Sequence, residues 1–119
     1  RDRSVSRGLG DVYKRQVMYK NGSVKKYAMM LMNEDFTSQD TQLNIPGIEH
    51  HIFTVCSADQ AIELAKKLTK EGFGAIEVCG AFGEELAKLM HHATGEMIPV
   101  GYVKYPKEQE RSLQIFWES

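Results

Sequence analysis

The sequence is poor in almost everything that marks a specialised class. Two cysteines, Cys56 and Cys79, are too few for a disulfide framework, and they lack the Cys-x-x-Cys spacing of a zinc site. Three prolines and ten glycines in 119 residues exclude collagen-like and low-complexity chains. The longest purely apolar run, Tyr27-Ala28-Met29-Met30-Leu31-Met32, falls far short of the roughly 20 residues a bilayer-spanning helix needs. The basic N-terminus is not followed by the apolar segment of a signal peptide, so a cytoplasmic location is expected, with both cysteines as reduced thiols. A formal net charge of −1 lacks the basic excess of a general nucleic-acid binder.

What remains is an ordinary globular composition, 42% apolar and 26% charged, long enough for one domain and too short for two. Such a chain can build a core. It points to a small-molecule ligand, a protein partner or a second copy of itself, not to nucleic acid or membrane.

Residues 1–16 stand apart. They show neither helical nor strand periodicity and carry five basic residues (Arg1, Arg3, Arg7, Lys14, Arg15) against two acids (Asp2, Asp11). Residues 4–16 resemble translated adapter read-through at the ends of assembled reading frames. We therefore treat 1–16 as a non-native or disordered extension and 17–119 as the single domain. Without that extension the chain is net acidic, which weakens a nucleic-acid reading further. Asn21-Gly22 marks a turn near the start of the domain.

Regular signals begin at Lys25. Residues 27–32 form an apolar run of strand length, as expected for a strand covered on both faces. Residues 33–49 are polar, contain the turn signal Ile45-Pro46-Gly47, and suggest either a short helix or a functional lid. Residues 51–56 form a second strand rich in β-branched and aromatic side chains. Ser57 then reads as an N-cap with Gln60 completing a capping box. The helix that follows carries Ala61, Ile62, Ala65 and Leu68 on one stripe and stops at Gly72.

Residues 75–79 are the third strand. After the turn Gly80-Ala81-Phe82-Gly83 a second helix presents Leu86, Leu89, Met90 and Ala93, and Gly95 ends it. Residues 97–104 read as a fourth strand, and Pro99 confines it to a sheet edge or a bulge. Residues 113–117 suggest a short final strand. The order predicts an α/β fold: a single small domain with a mostly parallel sheet of four to five strands and helices on its faces, in a Rossmann-like or flavodoxin-like arrangement of two or three layers.

In open parallel sheets ligands bind beyond the carboxyl ends of the strands. That rule selects Asn33, Ser57, Cys79, Gly80, Ala81, Phe82, Gly83 and Tyr102 as candidate ligand-binding residues. The turn at 80–83 offers backbone N–H groups at a helix start, which suits an anion. It matches neither the dinucleotide fingerprint nor the P-loop, and Glu84 and Glu85 in the next turn would repel a phosphate. A tight turn that needs glycine for its dihedrals explains the same residues without a ligand.

Glu77 is the most informative position. Alternation places it with Ala75 and Cys79, opposite Ile76 and Val78, in an otherwise apolar strand. Buried without a cation it would hold its proton tightly, as suits a general acid or base, and it is the candidate catalytic residue. A structural hydrogen bond to a tyrosine, histidine or lysine, or a place near solvent at a subunit contact, is the alternative. The histidines come as two adjacent pairs, His50-His51 and His91-His92. As helix neighbours, His91 and His92 point about 100° apart and cannot readily share one metal, which would need help from another element such as Glu96 or the Cys56 region. The sequence identifies no particular cofactor.

The decapeptide Gly74-Ala75-Ile76-Glu77-Val78-Cys79-Gly80-Ala81-Phe82-Gly83 resembles the central signature of a bacterial family, the domain of unknown function 6506. The resemblance extends to Lys26-Tyr27-Ala28, to the helix over 61–72 and to Pro99-Val100-Gly101-Tyr102-Val103, and so spans roughly residues 25–105. It implies a small stand-alone α/β protein and supplies no activity, substrate or catalytic residue. Two expectations follow from the residues themselves. One is binding or catalysis on a small, anionic metabolite at the carboxyl edge of the sheet. The other is a non-catalytic homo-oligomeric scaffold or interaction module, with the Met-rich first strand and the aromatic C-terminus as its interface.

Overall fold

The computed structural model describes residues 25–119; the readings made of residues 1–24 fall outside them. Five strands form one sheet in the order β2-β3-β1-β4-β5. In chain order the elements are β1 (Lys25–Met32), β2 (Gln39–Ile45), β3 (Ile48–Val55), α1 (Ala58–Lys70), β4 (Ala75–Val78), α2 (Gly83–Ala93), β5 (Val100–Tyr102) and, after a 3-10 turn (Lys107–Gln109), α3 (Glu110–Glu118). Strands β3, β1, β4 and β5 run parallel, and β2 is antiparallel to β3. The fold is α/β with a mostly parallel sheet.

Helices α1 and α2 share one face. The connections β3–α1–β4 and β4–α2–β5 both step in the same direction across the sheet, and crossovers of one hand then lie on one side. Ala28, Met30, Phe53, Val55, Ile76 and Val78 point into that side and meet Ala61, Ala65, Leu68, Ala87 and Met90 of the helices. The alanines let the helices approach the sheet closely. The arrangement has two layers, and among the described residues the opposite face of the sheet carries no packed helix layer.

The helix ends follow the sequence closely. The Ser57 side chain accepts from the Gln60 N–H at 3.2 Å, and the Gln60 side chain accepts from the Cys56 N–H at 2.9 Å, a reciprocal cap displaced by one residue. At the other end Gly72 has φ +86°, while Phe73 N–H returns to the Leu68 carbonyl and Gly72 N–H to that of Thr69. This is a Schellman motif, and its left-handed residue favours glycine.

Four readings need correction. Residues 39–45 are neither helix nor lid but the edge strand β2, which forms a hairpin with β3 through Pro46 and Gly47. An edge strand solvated on most of its surface has no need of a continuous apolar pattern, so its polarity hid it. The stripe of α2 is rotated: Ala87 and Met90 are buried, Leu86 is half-buried, and Leu89 is exposed. The fourth strand shrinks to Val100–Tyr102, and Pro99 just before it accepts from the Ile76 N–H through its carbonyl, at the edge as expected. The final strand is the helix α3, because a short apolar run does not separate strand from helix without its period. Leu113, Phe116 and Trp117 stand at helical spacing.

The β2–β3 edge carries one charged latch. His51 Nδ1 lies 2.7 Å from Asp40 Oδ1 and its Nε2 3.3 Å from Glu49 Oε1, while its ring stacks on Phe53 with centroids 5.4 Å apart. Burial opposes the charged imidazole, but the two carboxylates together outweigh it and raise its pKa above the ordinary 6.5. A raised folded-state pKa gives stability that is complete below the unfolded value and fades as pH rises through the folded one. Urea unfolding between pH 5 and 9 should therefore show a loss of stability starting above about pH 6.5. His51→Phe should remove that slope; a slope that survives the substitution would assign it to other groups.

Candidate functional site

The uncovered face of the sheet is read directly from register. Paired residues point to the same face, so the row Thr41–Ile52–Met29–Glu77–Gly101 crosses all five strands opposite the buried row. Tyr27 precedes it on β1 and Leu31 follows it. Near the carboxyl ends of β1, β4 and β5 this face opens into a trough of about 1190 Å³. Its floor includes Met29, Leu31 and Glu77; Asn33, Cys79, Gly80 and Ala81 form the strand-end rim; Lys104, Tyr105, Glu110, Leu113 and Trp117 form the far wall.

Glu77 is exposed, not buried as the apolar pattern of its strand suggested. The pattern misled because Ile76 and Val78 face the helices, whereas Glu77 faces the side without a helix layer. The Tyr27 hydroxyl donates to Glu77 Oε1 at 2.7 Å. Burial, the hydrogen bond to Glu77 and its negative charge together push the Tyr27 pKa up to about 12. Tyr27 thus stays a neutral donor at any physiological pH. It occupies one of the roughly four lone-pair sites of the carboxylate.

Gly101 sits beside Glu77 in register, and a Cβ placed there would stand 3.7 Å from Glu77 Cγ. Gly80 has no left-handed φ, and a Cβ there would meet nothing within 4 Å. Neither a close contact nor a left-handed φ demands glycine at 80. Gly83 differs, with φ +77° at the first residue of α2. Its glycine serves the turn.

The trough gathers six of the nine expected site residues: Asn33, Glu77, Cys79, Gly80, Ala81 and Tyr102. Asn33 is partly committed, since its Oδ1 accepts from the Asp35 N–H at 2.9 Å. Tyr102 borders the trough while its side chain engages Glu84 on α2. The Glu84 carboxyl lies below its usual range through its hydrogen bond and ion pair with Lys88, to which Lys104 and Tyr102 add. Three expected residues lie elsewhere. Ser57 caps α1, Phe82 is buried in the core, and Gly83 begins α2.

Sequence reasoning missed Tyr27, Met29 and Leu31. Alternation on β1 could have found them, since they are the odd members of the strand whose even members, Ala28 and Met30, are buried. It also missed Glu110 and Trp117, which reach the trough only because the last segment is a helix. Among the described residues no cluster of three or more histidine, cysteine or acidic side chains could hold a metal ion. His91 is tied by its Nδ1 to the Ile98 carbonyl at 2.8 Å. No helix of the described residues is long and apolar enough to cross a membrane.

No curated protein and no solved structure matches the chain. A family model does match, over residues 25–118, which takes in every strand of the sheet and every residue lining the trough. The chain belongs to that family, described as a family of unknown function (DUF6506).

Proposed function

We propose that the trough binds a small molecule with an apolar body and a donor or positively charged end, anchored on the Glu77 carboxylate. One observation carries this reading: an exposed carboxylate, fixed by a tyrosine hydroxyl, stands on an apolar floor inside a concave surface at the carboxyl edge of a parallel sheet. Few convergent polar groups in a mainly apolar cleft are what a ligand site requires. Among the described residues of the lining, the carboxylates of Glu77 and Glu110 stand against the single cation Lys104, so a donor end suits the floor better than the anion first expected. The Gly80 and Ala81 backbone lies on the rim, where it can meet an acceptor on the same molecule. If the ligand is transformed, Glu77 is the group placed to take or return a proton. The two free cysteines suit a reducing compartment, and we take the bacterial cytoplasm as the setting.

Matched probes test this. Phenethylamine and tryptamine present an aromatic body with an ammonium; 3-phenylpropanoate and indole-3-propanoate present the same bodies with a carboxylate. At ten times Kd a ligand stabilises by about 1.4 kcal/mol, enough to move Tm by several degrees. The amines should raise Tm for the wild type and lose the effect in Glu77→Gln. A rise with the carboxylates that persists in Glu77→Gln would move the anchor to the Gly80 turn. No rise with either series would reject the aromatic-amine ligand class.

A further inference from the structure

We propose that a second copy of this chain covers the trough, the two copies meeting trough to trough about a two-fold axis with α3 of each forming a wall shared with the other. The proposal goes beyond the ligand reading and does not need it.

Helix α3 has no buried residue, and its substantial contacts among the described residues are with the 3-10 turn that precedes it. Yet it carries Leu113, Ile115, Phe116 and Trp117, with Phe116 65% and Trp117 73% exposed and their rings 5.0 Å apart, centroid to centroid. A helix with so much apolar surface and so little of it covered holds its place only against something else. The trough it borders needs a cover as well. Four aromatic side chains on or beside it, Phe36, Tyr105, Phe116 and Trp117, are 38% to 73% exposed. At roughly 200 Å² each they leave on the order of 400 Å² of aromatic surface in water.

Val103, about half exposed, and the half-buried Met29, Leu31 and Leu113 extend the same surface. The total is well over half of the ~800 Å² per partner that a standard interface buries, a share in keeping with the roughly 57% of an interface that is apolar. At about 1190 Å³ the trough is also larger than the ~300–1000 Å³ usual for a small-molecule site, so a ligand alone would not fill it.

The occupant follows from self-complementarity. One chain carries both an apolar concave sheet face and an apolar helix without a groove. A two-fold operation brings each helix to the other copy's sheet, and closes the assembly at two. Charge agrees, because Lys104 on the wall and Glu77 and Glu110 within the trough put both signs on one surface, where a two-fold can pair unlike charges across it. The outer edge of β2, with Leu43 43% and Ile45 45% exposed, is the competing site for self-association through strand pairing.

Sedimentation velocity of the full chain separates these arrangements. The wild type at tens of micromolar should run at twice the 13.5 kDa chain mass. The double variant Phe116→Glu/Trp117→Glu should weaken dimerisation roughly a hundredfold or more, with an unchanged far-ultraviolet circular dichroism spectrum. Leu43→Glu should remain dimeric. A monomeric wild type overturns the proposal and leaves residues 1–24 or a different protein as the cover. A dimer that survives the double variant overturns it too, and one lost only in Leu43→Glu moves the contact to the β2 edge. Because the mass needs no ligand, failure here leaves the Glu77 reading standing, and failure of the amine series leaves this one standing.

Discussion

Met30→Ala is expected to cost about 3 kcal/mol of stability, the middle of the range for emptying a buried methionine site. Met30 is fully buried at the centre of the sheet, paired in register with Phe53 on β3 and Val78 on β4. Its side chain faces α1 and α2, where neighbours such as Ala61, Ala65 and Ala87 are too short to fill a vacated site. A domain of this size is stable by only about 5–15 kcal/mol, so the loss is a large fraction of the whole. Tm should fall by roughly 12–24 °C, at about 4–8 °C per kcal/mol. The control is Met29→Ala, one residue away and half-buried on the trough side. Its cost should stay below about 1 kcal/mol in the isolated chain. Equal costs for the two would mean that both faces of β1 are packed alike, contrary to the two-layer fold.

That contrast also explains what could be read from the chain alone. Residues 27–32 are apolar at every position, which suggested a strand covered on both sides. The structure puts Ala28 and Met30 in the core and Met29 and Leu31 on the trough floor, so the run is continuous because two different apolar surfaces share it. The cap at Ser57 and Gln60 and the stop at Gly72 were legible because local backbone chemistry dictates them. β2 was not, because an edge strand with most of its surface in water has little pattern to show. α3 was not, because its apolar residues answer to a surface that no other described element of the chain supplies in quantity.

The site was legible by topology more than by motif. The rule that ligands gather beyond parallel strand ends brought Asn33, Cys79, Gly80, Ala81 and Tyr102 to the rim. It failed for Ser57, whose hydroxyl is committed to the helix cap, and for Phe82 and Gly83, which turn inward or serve the turn. Glu77 stood out for the right reason, a carboxylate in an apolar strand, and of its two expected environments the structure shows the hydrogen bond to a tyrosine near solvent and not the buried, unpartnered acid. Which face of β4 lacks a helix depends on strand order, and strand order depends on contacts distant in sequence.

The Tyr27–Glu77 pair should be visible in an alkaline titration. Of the five tyrosines in the chain, Tyr27 should ionise at about 12, some two units above the ordinary phenol, in the tyrosinate absorbance at 295 nm. Burial, the hydrogen bond and the nearby carboxylate all disfavour the phenolate. The folded pKa lies above the unfolded value of 10, so this contribution to stability is complete below pH 10 and is lost as pH rises through 12. Glu77→Gln keeps an acceptor for the hydroxyl and removes the charge. In that variant the late step should move part of the way down toward the ordinary phenol value of 10, and the alkaline loss of stability attributable to Tyr27 should shrink. Tyr27→Phe should delete the late step altogether. If the wild type shows no step above the ordinary range, the hydroxyl does not rest on the carboxylate, whereas a step that Glu77→Gln leaves in place would assign the shift to burial alone. Glu77 would then lack the fixed orientation that makes it an anchor, whereas a step that falls as described shows a carboxylate held in one place by a neutral donor on the sheet face that carries the trough.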